Sequence, residues 1–251
     1  MRLRPLPVIL TAAMAFAAGC GSSAGGPGAP NGVRMKSGAQ IIAAAVTATK
    51  RESSFHFEES ATSGSSGVSV VADVGTAGGE QHITIHQGSE VGKVTVMLAG
   101  GTAYFEGDAS GLEGLTGMST KVAGEVAGKW ISVPSTSASF AGLAGSLAVK
   151  SAASQLVQLA GTLTKGRTSI KLGHRAVAVK ATESTKTANL ALTMYVRTTG
   201  AALPISVEGT TQESGSAAHV ISASFSDWGE VLHLTAPTGA LPIASVQALA
   251  G

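Results

Sequence analysis

His82-Ile83-Thr84-Ile85-His86-Gln87-Gly88-Ser89-Glu90-Val91-Gly92-Lys93-Val94-Thr95-Val96-Met97-Leu98 is the stretch that decides the fold class. Ile83 and Ile85 alternate with His82, Thr84 and His86, and Val94, Val96 and Leu98 follow the same rule after a polar, glycine-bearing break. Period two over short runs, with turn residues between them, is the signal of half-buried antiparallel strands. Successive side chains point to opposite faces, so one face is a wall of Ile, Val and Leu and the other is polar.

The pattern extends in both directions. Phe55 and Phe57 alternate with His56 and Glu58, and Val68, Val70, Ala72 and Val74 alternate with Asp73 on the other side. Ala103-Tyr104-Phe105 and Trp130-Ile131-Ser132-Val133 read as strands. So do residues 176–182, 188–198, 204–211, 219–227 and 231–235, with Leu190, Leu192, Met194 and Val196 forming the clearest single face. Residues 111–127 and 138–162 lack alternation. Phe140, Leu143, Ala144 and Leu147 are spaced for a helix, as are Leu156, Leu159, Ala160 and Leu163, while Gly142, Gly145 and Gly161 each weaken that reading by about 1 kcal/mol. A further helix is expected from Ser37, which can cap it, to about Arg51. Helix, strands, helical insertion, strands: this order predicts an α+β fold with one long antiparallel sheet and helices gathered on one side.

The amino terminus is different in kind. Arg2 and Arg4 precede an apolar run from Leu6 to Phe16, which closes with Ala17-Ala18-Gly19-Cys20. A basic start, a short apolar run and small residues before a cut site describe a secretory signal, and the run is too short to span a bilayer. The chain's single cysteine stands directly after the small residues, as in the lipobox of bacterial lipoproteins, with Ala17 where that pattern prefers Leu. Residues 1–19 are expected to be removed and Cys20 to be acylated, which anchors the chain on the outer face of the cytoplasmic membrane. Residues 20–36 are Gly, Ser, Ala and Pro with little else; as a flexible tether they average roughly 20–24 Å end to end. Residues 37–251 are expected to be one domain.

Loss of the signal removes two arginines from a total of 17 Lys+Arg against 15 Asp+Glu, so the mature chain is neutral overall. That balance argues against nucleic acid and against electrostatic attachment to membranes. Aromatics at 4% leave little for a base-stacking platform.

Three motifs carry a resemblance. Phe225-Ser226-Asp227-Trp228-Gly229-Glu230-Val231, followed by Ala236-Pro237, resembles the closing signature of the LppX/LprG-type lipoproteins of actinobacteria. Gly128-Lys129-Trp130-Ile131-Ser132-Val133 resembles the strand after their first helical segment, and Leu203-Pro204-Ile205-Ser206-Val207-Glu208 the strand in which their sheet returns. That family is similar to the LolA/LolB carriers. The resemblance implies a strongly curved antiparallel half-barrel with helices covering its concave face, an apolar cavity between them, and a long-chain lipid or lipoglycan as cargo. It implies no cofactor, no metal, no catalysis and a monomer. The cavity wall would come from Val70, Ile83, Ile85, Val94, Val96 and Leu98, from Ile131 and Val133, from Leu143 and Leu147 on the helical insertion, and from Leu190, Leu192 and Met194. Trp228 would plug the sheet or stand at the mouth of the cavity. Apolar strand residues also fill solid cores, so a second function stays open: an envelope interaction or structural lipoprotein with a filled core and no cargo.

Other chemistry finds little support. His82 and His86 lie on one face of a strand but about 13 Å apart, too far to hold one ion. Gly21-Ser22-Ser23-Ala24-Gly25 matches a nucleophile-elbow pattern but has no strand before it and no helix after it.

Overall fold

The computed structural model describes residues 28–156, 161–185 and 187–249. The signal, Cys20 and the first part of the tether lie outside the described residues. In chain order the elements are a 3-10 turn Val33–Met35, α1 Gly38–Thr49, β1 Ser54–Ser63, β2 Ser66–Gly75, β3 Gly79–Gln87, β4 Glu90–Ala99, β5 Thr102–Gly107, α2 Ala109–Thr116 and α3 Thr120–Val126. There follow β6 Ile131–Pro134, α4 Phe140–Ala144, α5 Val149–Leu156, β7 Thr162–Lys171, β8 His174–Ser184, β9 Ala188–Arg197, β10 Pro204–Glu213, β11 His219–Ser226, β12 Leu241–Pro242 and α6 Ile243–Ala248. The class is α+β, and every described strand pairing is antiparallel except that of β12 with β6. The described chain divides into two compact units, one holding residues 52–152 and 226–249 and the other residues 28–51 and 153–225.

In the first unit the strands lie in the order β12-β6-β5-β4-β3-β2-β1. The register puts Val70, Ile83 and Val94 in one row, Gln81, Val96, Phe105 and Ile131 in the next, and Leu98, Ala103 and Val133 in a third, all on one face. Helices cover that face. Leu112, Leu115, Met118, Val122 and Val126 come from α2, α3 and their link, Leu143, Ala144 and Leu147 from α4 and the turn after it, and Ile243 and Val246 from α6. Asp108 sets the approach of α2: its carboxylate caps the helix at Gly111 N–H (2.7 Å) and also accepts from Lys93 N–H on β4 (3.0 Å). Gly111 then lies so close to β4 that a Cβ there would stand 2.4 Å from the Lys93 carbonyl oxygen, and a Cβ on Gly92 would stand 2.4 Å from the Gly111 nitrogen. Two glycines let a helix backbone rest on a strand backbone.

In the second unit the order is β11-β10-β9-β8-β7. Helix α1 packs on β7 and β8. Ser37 caps it with a complete capping box, and Ile41, Ile42 and Ala45 are its buried stripe, as its sequence predicts.

Three expectations are corrected. Leu163 belongs to β7, not to a helix, and α5 ends its described span at Leu156; Leu159 and Ala160 lie outside the described residues. Strand β7 itself escaped notice because its burial does not alternate and its ladder breaks between Lys165 and Thr168. Residues 231–235 are not a strand: Val231 is 78% exposed, while Leu232 and Leu234 lie against Gly75 and Gly78, so the segment is held by side chains and not by a ladder. The tether is shorter than expected. Ala29 accepts from Gly200 N–H (2.9 Å), Asn31 N–H donates to Thr198 O (3.0 Å), the Asn31 amide donates to Arg197 O (2.9 Å), and Val33 is buried, so the chain is fixed from about Ala29 and not from Ser37.

Candidate functional site

The expected cavity residues of the first unit are buried. Ile83, Ile85, Val94, Val96, Leu98, Ile131, Val133, Leu143 and Leu147 belong to a single apolar cluster, with Val70 partly buried against it. Their neighbours are protein side chains. Two open grooves are present among the described residues. One, of about 470 Å³, joins His82, Thr84, Lys93, Thr95 and Glu106 on the outer, polar face of β3, β4 and β5 to Ile83 and Val94, two of the expected wall residues. The other, of about 490 Å³, in the second unit, joins Thr182, Ser184, Thr210 and Gln212 of the outer face to Glu183 and Leu190 of the inner one. Both mix polar and apolar side chains. Among the described residues no three His, Cys, Asp or Glu side chains come together as a metal site, and His82 and His86 are both exposed on that polar face.

The inner face of β7–β11 is different, and its register explains why. One row is Val179, Met194, Val207 and Ala223 across β8–β11, all buried, with the exposed Lys165 as its end on β7. The next row is Leu163, Ala181, Leu192, Gly209 and Ile221. Here Leu192 stands between a methyl group and a hydrogen, and Leu163, Leu192 and Ile221 are only half-buried. Ala181 itself is fully buried, so the row is open only at its larger side chains. The row beyond turns polar: Glu183, Leu190, Thr211 and His219. Thr211 is 6% exposed and its hydroxyl has no hydrogen-bond partner among the described residues. A buried hydroxyl without a partner costs about 1–3 kcal/mol, so this atom is ready to meet one. From Met194 to Thr211 the face runs from closed and apolar, through half-open and apolar, to polar.

Sequence reading found Leu190, Leu192 and Met194 but missed Ala181, Gly209, Thr211 and Ile221, since only cross-strand register reveals small residues flanking a large one. Trp228 stacks on Phe55 of β1, with ring centroids 5.0 Å apart and planes inclined by 28°. The turn that carries it is pinned to the same strand: Gly229 N–H donates to Ser54 O (2.9 Å), and the Ser54 hydroxyl donates to the Glu230 carbonyl.

No family model and no curated protein matches the chain. Three solved structures are similar in fold. LprF from Mycobacterium bovis matches over 84% of this chain and 100% of its own, with a TM-score of 0.52 and 16% identity. The Mycobacterium tuberculosis lipoprotein LppX matches over 79% of this chain and 98% of its own, with a TM-score of 0.48 and 15% identity. MucB, solved with MucA, matches over 81% of this chain and 60% of its own, with a TM-score of 0.37 and 12% identity. The likeness to LprF is one of fold, and on that likeness the chain carries the LppX/LprG-type fold that its three motifs lead one to expect.

Proposed function

We infer that the chain is an envelope lipoprotein, anchored through Cys20 on the outer face of the cytoplasmic membrane, that binds an acylated lipid or glycolipid and carries it. The observation that supports cargo is the half-open row Leu163–Ala181–Leu192–Gly209–Ile221 beside a polar row. Four steps of about 4.8 Å between strands make the row roughly 19 Å long, enough for a long acyl chain laid across the strands. Transfer of that chain from water recovers about 25 cal/mol for each Å² covered, with no polar anchor needed along the row. The headgroup would lie toward Thr211, His219 and Glu183, where a donor or acceptor completes the Thr211 hydroxyl. Nothing in this reading calls for covalent chemistry, cofactor or metal.

One observation favours the second reading. The apolar face of the first unit is filled by its helices, as in an interaction protein with a solid core. Native mass spectrometry with organic extraction, on the full chain purified from an actinobacterial host, separates the two. A co-purifying long-chain lipid that is lost in Leu192→Trp, with the fold retained by circular dichroism, supports the carrier. An apo mass with no uptake of a fluorescent fatty acid sinks it in favour of the interaction protein.

A further inference from the structure

The neutral charge of the mature chain conceals a sharp division. Residues 28–51 and 153–225, the second unit, hold eleven lysines and arginines against three carboxylates; residues 52–152 and 226–249, the first, hold four against twelve. Within the second unit the charge is graded again. Glu183 and Glu213 stand at the ends of β8 and β10 that meet Leu190 and Ala188 of β9. At the opposite end of the strands are Arg175, His174 and Arg197, and Lys171, which pairs with Glu208 across the sheet and lies over the Tyr195 ring. Arg167 and Arg175 are exposed.

That basic end also bears the unit's most prominent exposed apolar side chains on a strand pair. The β7–β8 hairpin turns through Leu172 and Gly173, with φ of 46° and 77°. Ile170 is 68% and Leu172 60% exposed. Two positive φ values call for Asn-Gly or Gly-Gly in such a turn. A leucine there is strained in the backbone and open to water in the side chain, an unfavourable choice on both counts for folding alone. An outlier of this kind points to use.

The tether leaves from the same end. Thr198 N–H donates to Arg175 O, Asn31 N–H donates to Thr198 O, and Gly200 N–H donates to Ala29 O, which fixes Ala29 beside the strand end from which the hairpin projects. Eight residues separate Cys20 from Ala29. Such a stretch averages about 15 Å end to end. One headgroup layer is roughly 5–8 Å deep.

We propose that the Ile170–Leu172 hairpin tip, with Arg167 and Arg175 behind it, is a docking surface for anionic phospholipid, so that the second unit rests on the membrane tip first. The leucine and isoleucine enter the headgroup layer, and the arginines meet its phosphates. The position of this surface rests on the anchor reading, but its affinity for lipid does not. The neutrality of the whole chain gave the opposite expectation, because a sum over the sequence hides a division in space.

The test is sedimentation of the full chain carrying Cys20→Ser, which has every residue and no acyl group, with vesicles of phosphatidylcholine alone or with about one third phosphatidylglycerol. All variants share residues 1–27, so differences between them belong to the tip. Binding to the anionic vesicles should fall about tenfold or more in Arg167→Glu/Arg175→Glu and severalfold in Leu172→Asn, with Glu213→Gln at the far end unchanged. Leu172→Asn fits the turn, so lost binding there cannot be blamed on unfolding. Equal binding by the tip variants and the parent, or no preference for anionic vesicles, overturns the proposal. A native chain whose amino-terminal peptide carries no acyl mass would refute the anchor and leave this result standing.

Discussion

Replacing Trp228 with Ala removes the ring that stacks on Phe55, a side chain itself only 1% exposed. Complete removal of a buried Trp or Phe ring costs about 3–5 kcal/mol. Trp228 is half-buried, so about half of that is at stake, roughly 2 kcal/mol, with about 0.5–1 kcal/mol more for the stacked geometry. The sum, about 2–3 kcal/mol, lowers the melting midpoint of a chain of this size by roughly 4–12 °C. Trp228→Phe keeps the stacking and should cost under about 1 kcal/mol. The assay is thermal unfolding followed by far-ultraviolet circular dichroism, with urea unfolding as a second axis. A cost below about 0.5 kcal/mol for the alanine variant would refute the packing argument, because a ring stacked on a buried partner cannot be idle. The same protein, assayed for retained lipid, separates plug from rim: a stable variant that loses its cargo would make Trp228 part of the mouth.

Glycine contacts give a paired test. Gly111→Ala should destabilise by about 2–3 kcal/mol in urea unfolding, since its Cβ meets the Lys93 backbone and nothing there can yield, whereas Gly124→Ala on α3, with nothing within 4 Å, should stabilise by about 0.5–1 kcal/mol. Leu172→Asn should raise the melting temperature by 1 °C or more by relieving the turn; an unchanged or lower value would remove the strain argument. Burial raises the pKa of Glu59, which the register places opposite Val70 on the apolar side of its sheet. The unfolded chain therefore releases this proton at lower pH than the folded one, and stability falls as pH rises through the ordinary carboxylate range, near 4.3, toward the raised value. Glu59→Gln should melt higher than the parent at pH 7 and equal to it below pH about 4; the residue is open to solvent on one side, so the gain is small.

What could be read from the sequence depended on how regular each element is. Strands β2, β3, β4 and β9 each carry a run of alternating residues, and Ser37 with Gln40 forms a capping box, so each is visible in a few residues. β7 was hidden because Gly166, Arg167 and the ladder break remove its period, and β12 because two residues carry no period at all. The candidate site was half legible. Leu190, Leu192 and Met194 declare an apolar face, but that Ala181 and Gly209 fall beside Leu192 in register is a fact spread over three strands. Ile83 and Val96 illustrate the converse: their apolar alternation is equally clear, yet helices close over them. Periodicity tells which face is apolar. What lies against that face is decided by residues far along the chain.

The break between Lys165 and Thr168 has a further consequence. In its unit β7 is the outermost strand, bonded to β8 alone, and its far side offers free backbone groups to any extended chain that comes near. Such an edge on one copy can pair with the same edge on another, the route to edge-to-edge polymerisation. A bulge bends the edge out of line, and lysine and arginine on it repel the same edge of a neighbour. The irregularity that hides β7 from a reading of periodicity thus works against such joining.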